Sequence, residues 1–523
     1  MEDRTRVIKI ESVLGGQSPY NGFSAEDQFS YTYSVDCEPN GYLNPDSSPR
    51  FSGSFLNGAP LWIKAEPKGG LYYVYDSAGS VYSLNSNTIT GVGDLNDGAS
   101  AAGNGCEYYD NYMYFARATT VARYGPLNGT PTFTDAYWTS TLSKTALTDT
   151  TYPTNNDSDS VSLSLPNHVM HRHNDGNLYF SDVVGNQGVL HKISTTKTTV
   201  EGDTDNGSAF NAIDFPYGYW PTAIESLGES VVVALYSGEG NALGVGLPNQ
   251  RAKIAFWDTT NPNTYARIID FEFPDPIIYG IKNTNGILYF VSGDENLLRI
   301  TRLVGEYSFE QITTLTNVSA PFPGGVDGAM NRFLFGIGYS GEGGVGCAGR
   351  ERSGVGNEVF SVRGCTSTSN SRVTSVSAIS GTVLSGWADN DGKYSIDGSD
   401  STLTENPNSN PQWASSYFRI GQPFKIKAVK FLTEANLGQN IKVYALIDTA
   451  GDTGASVTEG TLLGNVSAEN YGESSNTRVV LRPNSATGKN DFAIGFSWEA
   501  GLYNGGFSTI KLPITVEYEL LDD

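Results

Sequence analysis

The four histidines of this 523-residue chain sit close together, at His168, His171, His173 and His191. Imidazoles grouped in this way hold zinc or nickel when their ring nitrogens converge. On a strand, however, His171 and His173 share one face and His168 points to the other. No cysteine lies nearby in sequence, and Asp175 falls in a turn. Two exposed and two packed imidazoles is the plainer reading. A second group is acidic. Asp389-Asn390-Asp391-Gly392 is a tight turn, and Asp389, Asp391, Asp397 and Asp400 offer the oxygen donors that a calcium ion takes. The spacing is not that of an EF-hand, because no Glu stands at the twelfth position. Calcium and an ordinary acidic turn are both open readings.

A third group is repeated. Tyr236-Ser237-Gly238-Glu239-Gly240 recurs as Tyr339-Ser340-Gly341-Glu342-Gly343. Identical pentapeptides at matching places argue for internal duplication and for two equivalent Gly-rich loops on one face. Tyr236, Glu239, Tyr339 and Glu342 are therefore candidate partner-binding residues. Gly341-Glu342-Gly343-Gly344-Val345-Gly346 formally spells G-x-G-x-x-G. The next residues, Cys347-Ala348-Gly349-Arg350, do not start a helix that would cradle a phosphate. No G-x-S-x-G, H-E-x-x-H, kinase set or Ser-x-Asp-x-Gly-x-x-Trp box is present, and nothing singles out a carboxylate pair for glycoside hydrolysis. The expectation is a protein that is not an enzyme, with no cofactor beyond a structural calcium.

Both matched loops follow a phrase written six times, a turn and then an aromatic-rich strand. Its reference positions are Val74, Phe115, Phe180, Val233, Phe290 and Phe335, spaced 41 to 65 residues apart. An entering strand precedes most copies and often opens on proline, as at Pro60, Pro166, Pro221 and Pro276. Proline cannot donate to a sheet ladder, so it suits a first position. A third strand follows in five copies. A recurring all-β unit of this length is the mark of a β-propeller blade, and six copies predict six blades.

Composition agrees. Gly 60, Tyr 30 and Phe 24 suit strands joined by turns. No apolar run approaches the roughly 18 residues of a membrane-spanning helix, so no membrane insertion is expected. The opening Met1-Glu2-Asp3-Arg4-Thr5-Arg6-Val7 lacks the apolar core of a secretory signal. A formal charge of −23 argues against a specific grip on nucleic acid, which needs Lys and Arg to neutralise phosphates. Four scattered cysteines do not make a disulfide scaffold. Cys347 and Cys365 flank the last blade's hairpin, and a pair or two buried thiols both fit.

The expected organisation is an N-terminal arm over 1–59 that closes the ring or grips a neighbour. A propeller over 60–365 follows, then a polar linker over 366–375 and a β-sandwich over 376–523. The last part alternates strongly with period two in Phe424–Phe431, Ile441–Leu446 and Ile510–Tyr518, as sheets with one buried face do. Ile396-Asp397-Gly398-Ser399-Asp400, Pro411-Gln412-Trp413 and Phe418-Arg419-Ile420-Gly421-Gln422-Pro423 through Val429 resemble the discoidin-like, galactose-binding jelly roll. Arg419-Ile420-Gly421 stands where that family has Asp-Leu-Gly. The resemblance implies a jelly-roll fold, a calcium near the Asp-Gly turn, and binding to a partner or a glycan.

The combination resembles virion proteins of tailed bacteriophages, the propellers of nozzle, hub or fibre. The opening through Phe51-Ser52-Gly53 is similar in style. That resemblance implies a structural tail subunit, assembled in the host cytoplasm and residing in the virion as a symmetric homo-oligomer. Its partners would be other tail proteins, with host attachment through a surface glycan. The rival is a secreted or surface-displayed propeller that binds or processes carbohydrate. An acid-lined DNA conduit is a third reading.

Overall fold

A computed structural model describes residues 5–13, 16–17, 28–37, 41–45, 56–67, 71–85, 88–95, 105–116, 121–138, 168–184, 187–193, 200–201, 212–237, 251–259, 267–294, 297–316, 318–329, 332–339, 342–350, 358–364, 371–379, 382–399, 411–434, 440–450, 457–467, 477–499 and 509–521. These residues are all-β, with two three-residue 3-10 turns as their only helical pieces. The chain forms two compact units, each gathered from separated stretches. One takes Phe51–Gly343 and Ser369–Asp397; the other takes Met1–Arg50, Gly344–Thr368 and Gly398–Asp523.

The first unit is a succession of antiparallel sheets. Sheet I runs Pro60–Ala65, Tyr72–Asp76, Ser80–Asn85, Thr88–Asp94. Sheet II runs Gly105–Tyr109, Tyr112–Ala116, Val121–Gly125, Thr132–Trp138. Sheet III opens on Met170–Arg172, sheet IV on Tyr219–Leu227 and sheet V on Ile277–Thr284. Sheet VI begins with the hairpin Val326–Ala329 and Arg332–Tyr339. Sheet VII is Arg372–Ile379, Thr382–Ala388 and Tyr394–Ser399. The opening strand of each sheet lies beside the opening strand of the next, and that of sheet VII lies beside that of sheet I. The inner strands come very close: a Cβ on Gly105 of sheet II would sit 1.9 Å from the His168 carbonyl oxygen ahead of sheet III. Only glycine fits there.

The repeated aromatics bind sheet to sheet. Tyr75 meets Phe115 edge-on at 5.3 Å between sheets I and II. Tyr179 meets Trp257 at 5.5 Å between III and IV, and Tyr289 stacks on Phe333 at 5.7 Å between V and VI. Such pairs contribute about 0.5–1.5 kcal/mol each beyond the apolar area they bury. Sheets VII and I share Leu56, Ile63, Val74, Leu384 and Ile396. Sheet VII was expected as linker and the start of the sandwich. Its second strand reads Thr382-Val383-Leu384-Ser385 and lacks the aromatic phrase, so its kinship with the other sheets lies in pairing and not in composition.

The other unit has two seven-stranded sheets. In one, Phe424–Glu434 pairs with Thr477–Leu481 and with Thr509–Leu520. Thr5–Ile10 pairs with Thr509–Leu520 in turn. In the other, Gln28–Tyr33 pairs with Gln412–Ser415, followed by Asp491–Trp498, Ile441–Ile447 and Thr461–Val466. The N-terminal stretch, expected as an arm, thus supplies strands to both sheets. One buried cluster draws on both: Phe29, Trp413, Phe496 and Trp498 from one, Phe424, Phe431 and Val516 from the other. Period-two alternation sets this. Ile514, Val516 and Tyr518 point inward, while Glu517 and Glu519 pair outward with Lys430 and Lys427. The exposed pairs are worth at most about 1 kcal/mol; the apolar face decides the register.

Candidate functional site

The inner strands of the seven sheets each place one residue at the same register. Lys64 pairs with Tyr73, Glu107 with Tyr114, His171 with Tyr179 and Glu225 with Val232. Lys282 pairs with Tyr289, Asp327 with Leu334 and Ser377 with Leu384. In the first six sheets the partner is the residue just before the reference position of the repeated phrase. Four inner strands carry a bulge three residues ahead of the ring residue, at Leu61, Thr222, Tyr279 and Thr374. Two of those bulges tie neighbouring sheets: the Thr222 hydroxyl donates to the Ile278 carbonyl at 2.7 Å and that of Thr374 to Pro60 at 2.7 Å.

All seven line one cavity of about 390 Å³, with Trp62, Met170 and Ile281 among the wall residues. Taken in sheet order, basic and acidic side chains alternate from Lys64 to Asp327, with His171 in the basic place between two carboxylates. Lys64 Nζ lies 2.8 Å from Glu107 Oε2. Lys282 Nζ lies 3.3 Å from Glu225 Oε2 and 3.2 Å from Asp327 Oδ1. Asp327 Oδ2 accepts the Ala378 N–H at 2.8 Å. His171 Nε2 stands 3.7 Å from Glu225 Oε1. Seven is odd, so strict alternation must fail at one junction, and Ser377 is the neutral residue there, between Asp327 and Lys64.

Burial and charge compete in this ring. Burial disfavours the charge on Lys64, but Glu107 outweighs it and the ammonium titrates above the usual lysine range. Glu225 and, after the opposing cost of burial, Asp327 hold Lys282 far above it. Burial pushes Glu225 toward the neutral acid; Lys282 and His171 reverse that and hold its carboxyl below the ordinary value. His171 goes the other way. Burial lowers it against the pull of Glu225, so the imidazole is uncharged at pH 7. Two ammonium groups then face three carboxylates. The low effective dielectric of such a site strengthens each pair and makes an unpaired charge costly.

Comparison with known proteins adds similarity of fold only. No protein-family description matches the chain, and no curated protein matches it. Solved structures do. The WD40 domain of Pan2 from Neurospora crassa matches with a TM-score of 0.41 and 9% identity, over 68% of this chain and 95% of that one. The β-propeller domain of Cps50 (Swd1) from Myceliophteria thermophila matches with a TM-score of 0.41 and 10% identity, over 67% and 99%.

Of the histidines, three are packed: His168, His173 and His191 are 4%, 2% and 1% exposed. His191 Nε2 bonds Asp182 at 3.1 Å. His171 alone of the four lines the cavity. Among the described residues no three His, Cys, Asp or Glu converge to hold a metal ion. Asp389 is buried, and its Oδ1 accepts the N–H groups of Asp391 and Lys393 at 3.0 and 2.8 Å. Asp397 is buried as well, and exposed Asp391 lies 3.6 Å from Lys393. Asp400 lies outside the described residues.

Tyr236 is a strand residue, buried and edge-on to Trp220 at 5.8 Å. Tyr339 ends the strand Arg332–Tyr339 and Glu342 begins Glu342–Arg350. The G-x-G-x-x-G run thus enters a strand and not a helix. Glu239 lies outside the described residues, as does Cys365; Cys347 is buried. Sequence reasoning passed over the ring because its seven members share register and not residue type. The usable signal was the residue just before each reference position of the repeated phrase, Tyr in four sheets and Val232 and Leu334 in the other two, whose cross-strand partner is the ring residue.

Proposed function

We propose that the chain is a structural subunit without catalytic turnover, built on a seven-bladed β-propeller with a β-sandwich formed from both ends of the chain. One observation carries the non-catalytic part. The five charged side chains of the ring are taken up in ion pairs with one another, Lys64 with Glu107 and Lys282 with Glu225 and Asp327, and the Ser226 hydroxyl beside His171 is itself held between two imidazoles. The circular succession of inner strands supports the propeller and its count of seven. The sequence resemblances support the setting: a tailed-phage virion, where the propeller is a rigid body and the sandwich binds a neighbouring tail protein or a host glycan.

Negative-stain imaging of the purified protein, together with immunolabelling of particles from its source, tests this reading. Symmetric oligomers and label at the tail are expected. Free monomers that cleave a polysaccharide, with no label on particles, would overturn it in favour of the carbohydrate-processing alternative.

A further inference from the structure

The hydrogen-bond chain behind His171 favours one tautomer of its ring. His173 Nε2 lies 3.2 Å from the Glu229 carbonyl oxygen, which can only accept, so that nitrogen holds a hydrogen. With Nε2 as the N–H of the His173 tautomer, its bare Nδ1 lies 2.7 Å from Ser226 Oγ, and the hydroxyl donates to it. The Ser226 oxygen is left to accept from His171 Nε2 at 2.7 Å. His171 Nδ1 is therefore the unprotonated nitrogen. It has no partner among the described residues and belongs to a side chain that lines the cavity.

On either side of His171 in the ring stand Glu107 and Glu225. Each has one charge-paired oxygen, toward Lys64 and Lys282. The other oxygen takes one backbone N–H, from Tyr108 at 3.0 Å and from Ser226 at 2.9 Å. A carboxylate oxygen accepts more than one hydrogen bond, so acceptor capacity is left over on both. This side of the ring is one positive charge short of alternation. Trp62, whose ring lies 5.8 Å from Lys64 Nζ, adds an aromatic wall, the surface over which cations sit.

We propose that the cavity binds one small organic monocation bearing N–H donors, a guanidinium or a primary ammonium, between Glu107, His171 Nδ1 and Glu225. A bare metal ion fits less well. Among the described residues no three ligands converge on a point, and about 390 Å³ suits a group of several heavy atoms. The cation takes the place in the alternation that a proton on His171 would otherwise fill. Bound cation and imidazolium therefore exclude each other, and acid expels the ligand. The groups facing His171 in this exchange are Lys64 of sheet I, Glu107 of sheet II, Glu225 and Ser226 of sheet IV and Lys282 of sheet V. His173 faces it through Ser226.

The test uses the full chain with ¹³C-labelled histidine, the His171 signal being assigned as the one lost in His171→Gln. Methylguanidinium should shift that signal saturably and lower the pH at which it titrates. Tetramethylammonium, which has no N–H, should do neither at equal ionic strength. Glu225→Gln and, independently, Glu107→Gln should each weaken binding at least tenfold. A second arm compares methylguanidinium with a blocked Gly-Arg-Gly peptide. Tighter binding of the peptide points to a partner's side chain, and equal or weaker binding points to a free amine; either supports the site. An equal shift with tetramethylammonium, a shift that never saturates, or unchanged binding in both glutamine variants would overturn the proposal.

Discussion

The two units are both built mainly from antiparallel strand pairs and close on opposite chemistry. Where the two-sheet unit brings its inner faces together, it meets Trp413, Phe431, Phe496 and Trp498, all nearly without exposure. Where the seven inner strands meet, they present Lys, Glu, His, Glu, Lys, Asp and Ser. Apolar closure is non-directional and indifferent to pH, and it scales with area. Closure on charge demands order, because each group is stabilised only by a correctly signed neighbour. The largest expected effect therefore lies on the apolar side. Phe496 packs on Phe431 at 5.2 Å and on Trp413 at 5.9 Å. Phe496→Ala should cost about 3–5 kcal/mol and lower the melting transition of that unit by roughly 10 °C, equally at pH 5 and pH 8. Calorimetry at both values checks this; a pH-dependent cost would erase the contrast.

On the charged side the sharpest probe is Lys282, the one ring cation between two carboxylates. Lys282→Met leaves Glu225 and Asp327 without it in a confined space. Breaking such a pair costs about 3–5 kcal/mol when fully buried. The Lys282 side chain is 28% exposed, so cavity water screens part of that, and about 2 kcal/mol is expected. Adding Glu225→Gln should recover a measurable share in a double-mutant cycle on denaturant unfolding. A single-variant cost near zero would mean that the ring is solvated, and the two closures would differ in composition alone.

The effect of pH comes next in size, and its sign follows from the two depressed groups. His171 titrates below its ordinary 6.5 in the folded chain because burial disfavours the imidazolium. The unfolded chain then binds the proton first. Stability is complete above about pH 6.5 and is lost as pH falls toward the folded value. Glu225, held below its ordinary 4.5 chiefly by Lys282 against the cost of burial, adds a second loss as pH falls below about 4.5. Unfolding free energy measured from pH 8 to 3 should show both segments. His171→Gln should remove the upper one and leave the lower.

The contrast was unevenly written in the sequence. The apolar closure is legible because period-two alternation is the same wherever a face is buried, and strands such as Thr509–Leu520, with Ile510, Ile514, Val516 and Tyr518 buried, follow it closely. The aromatic phrase of the other unit is legible for a similar reason: Tyr75, Tyr179 and Tyr289 are fixed by contact with the next sheet. The ring residues obey no shared composition. Proline was the natural anchor for counting, and it misleads. Lys64 and Glu225 come four residues after Pro60 and Pro221, but His171 comes five after Pro166 and Lys282 six after Pro276. The bulge follows Pro60 and Pro221 by one residue but Pro276 by three, so proline holds no fixed place ahead of it, and a bulge shows only once the partner strand is in place. Sheet VII was hidden because its edge toward sheet I closes on Leu384 and Ile396, where the other sheets use aromatics.

The smallest effect tests the alternation itself. Ser377 occupies the junction where a seven-membered ring cannot alternate, with Asp327 on one side and Lys64 on the other. Ser377→Ala should change stability by no more than about 0.5 kcal/mol, as for substitutions that break no network. Charged replacements should be worse, and for opposite reasons. Ser377→Asp sets a carboxylate beside Asp327, and Ser377→Lys sets an ammonium beside Lys64. Each creates one like-charged contact and one favourable one, so neither sign gains. Lysine should be the milder of the two, because it also offsets the one negative charge in excess. Thermal unfolding of the three variants at pH 7 gives the order Ala, then Lys, then Asp. If Lys instead stabilises the chain beyond wild type, net charge governs the ring and not order, and the distinction between the two closures reduces to a count of charges.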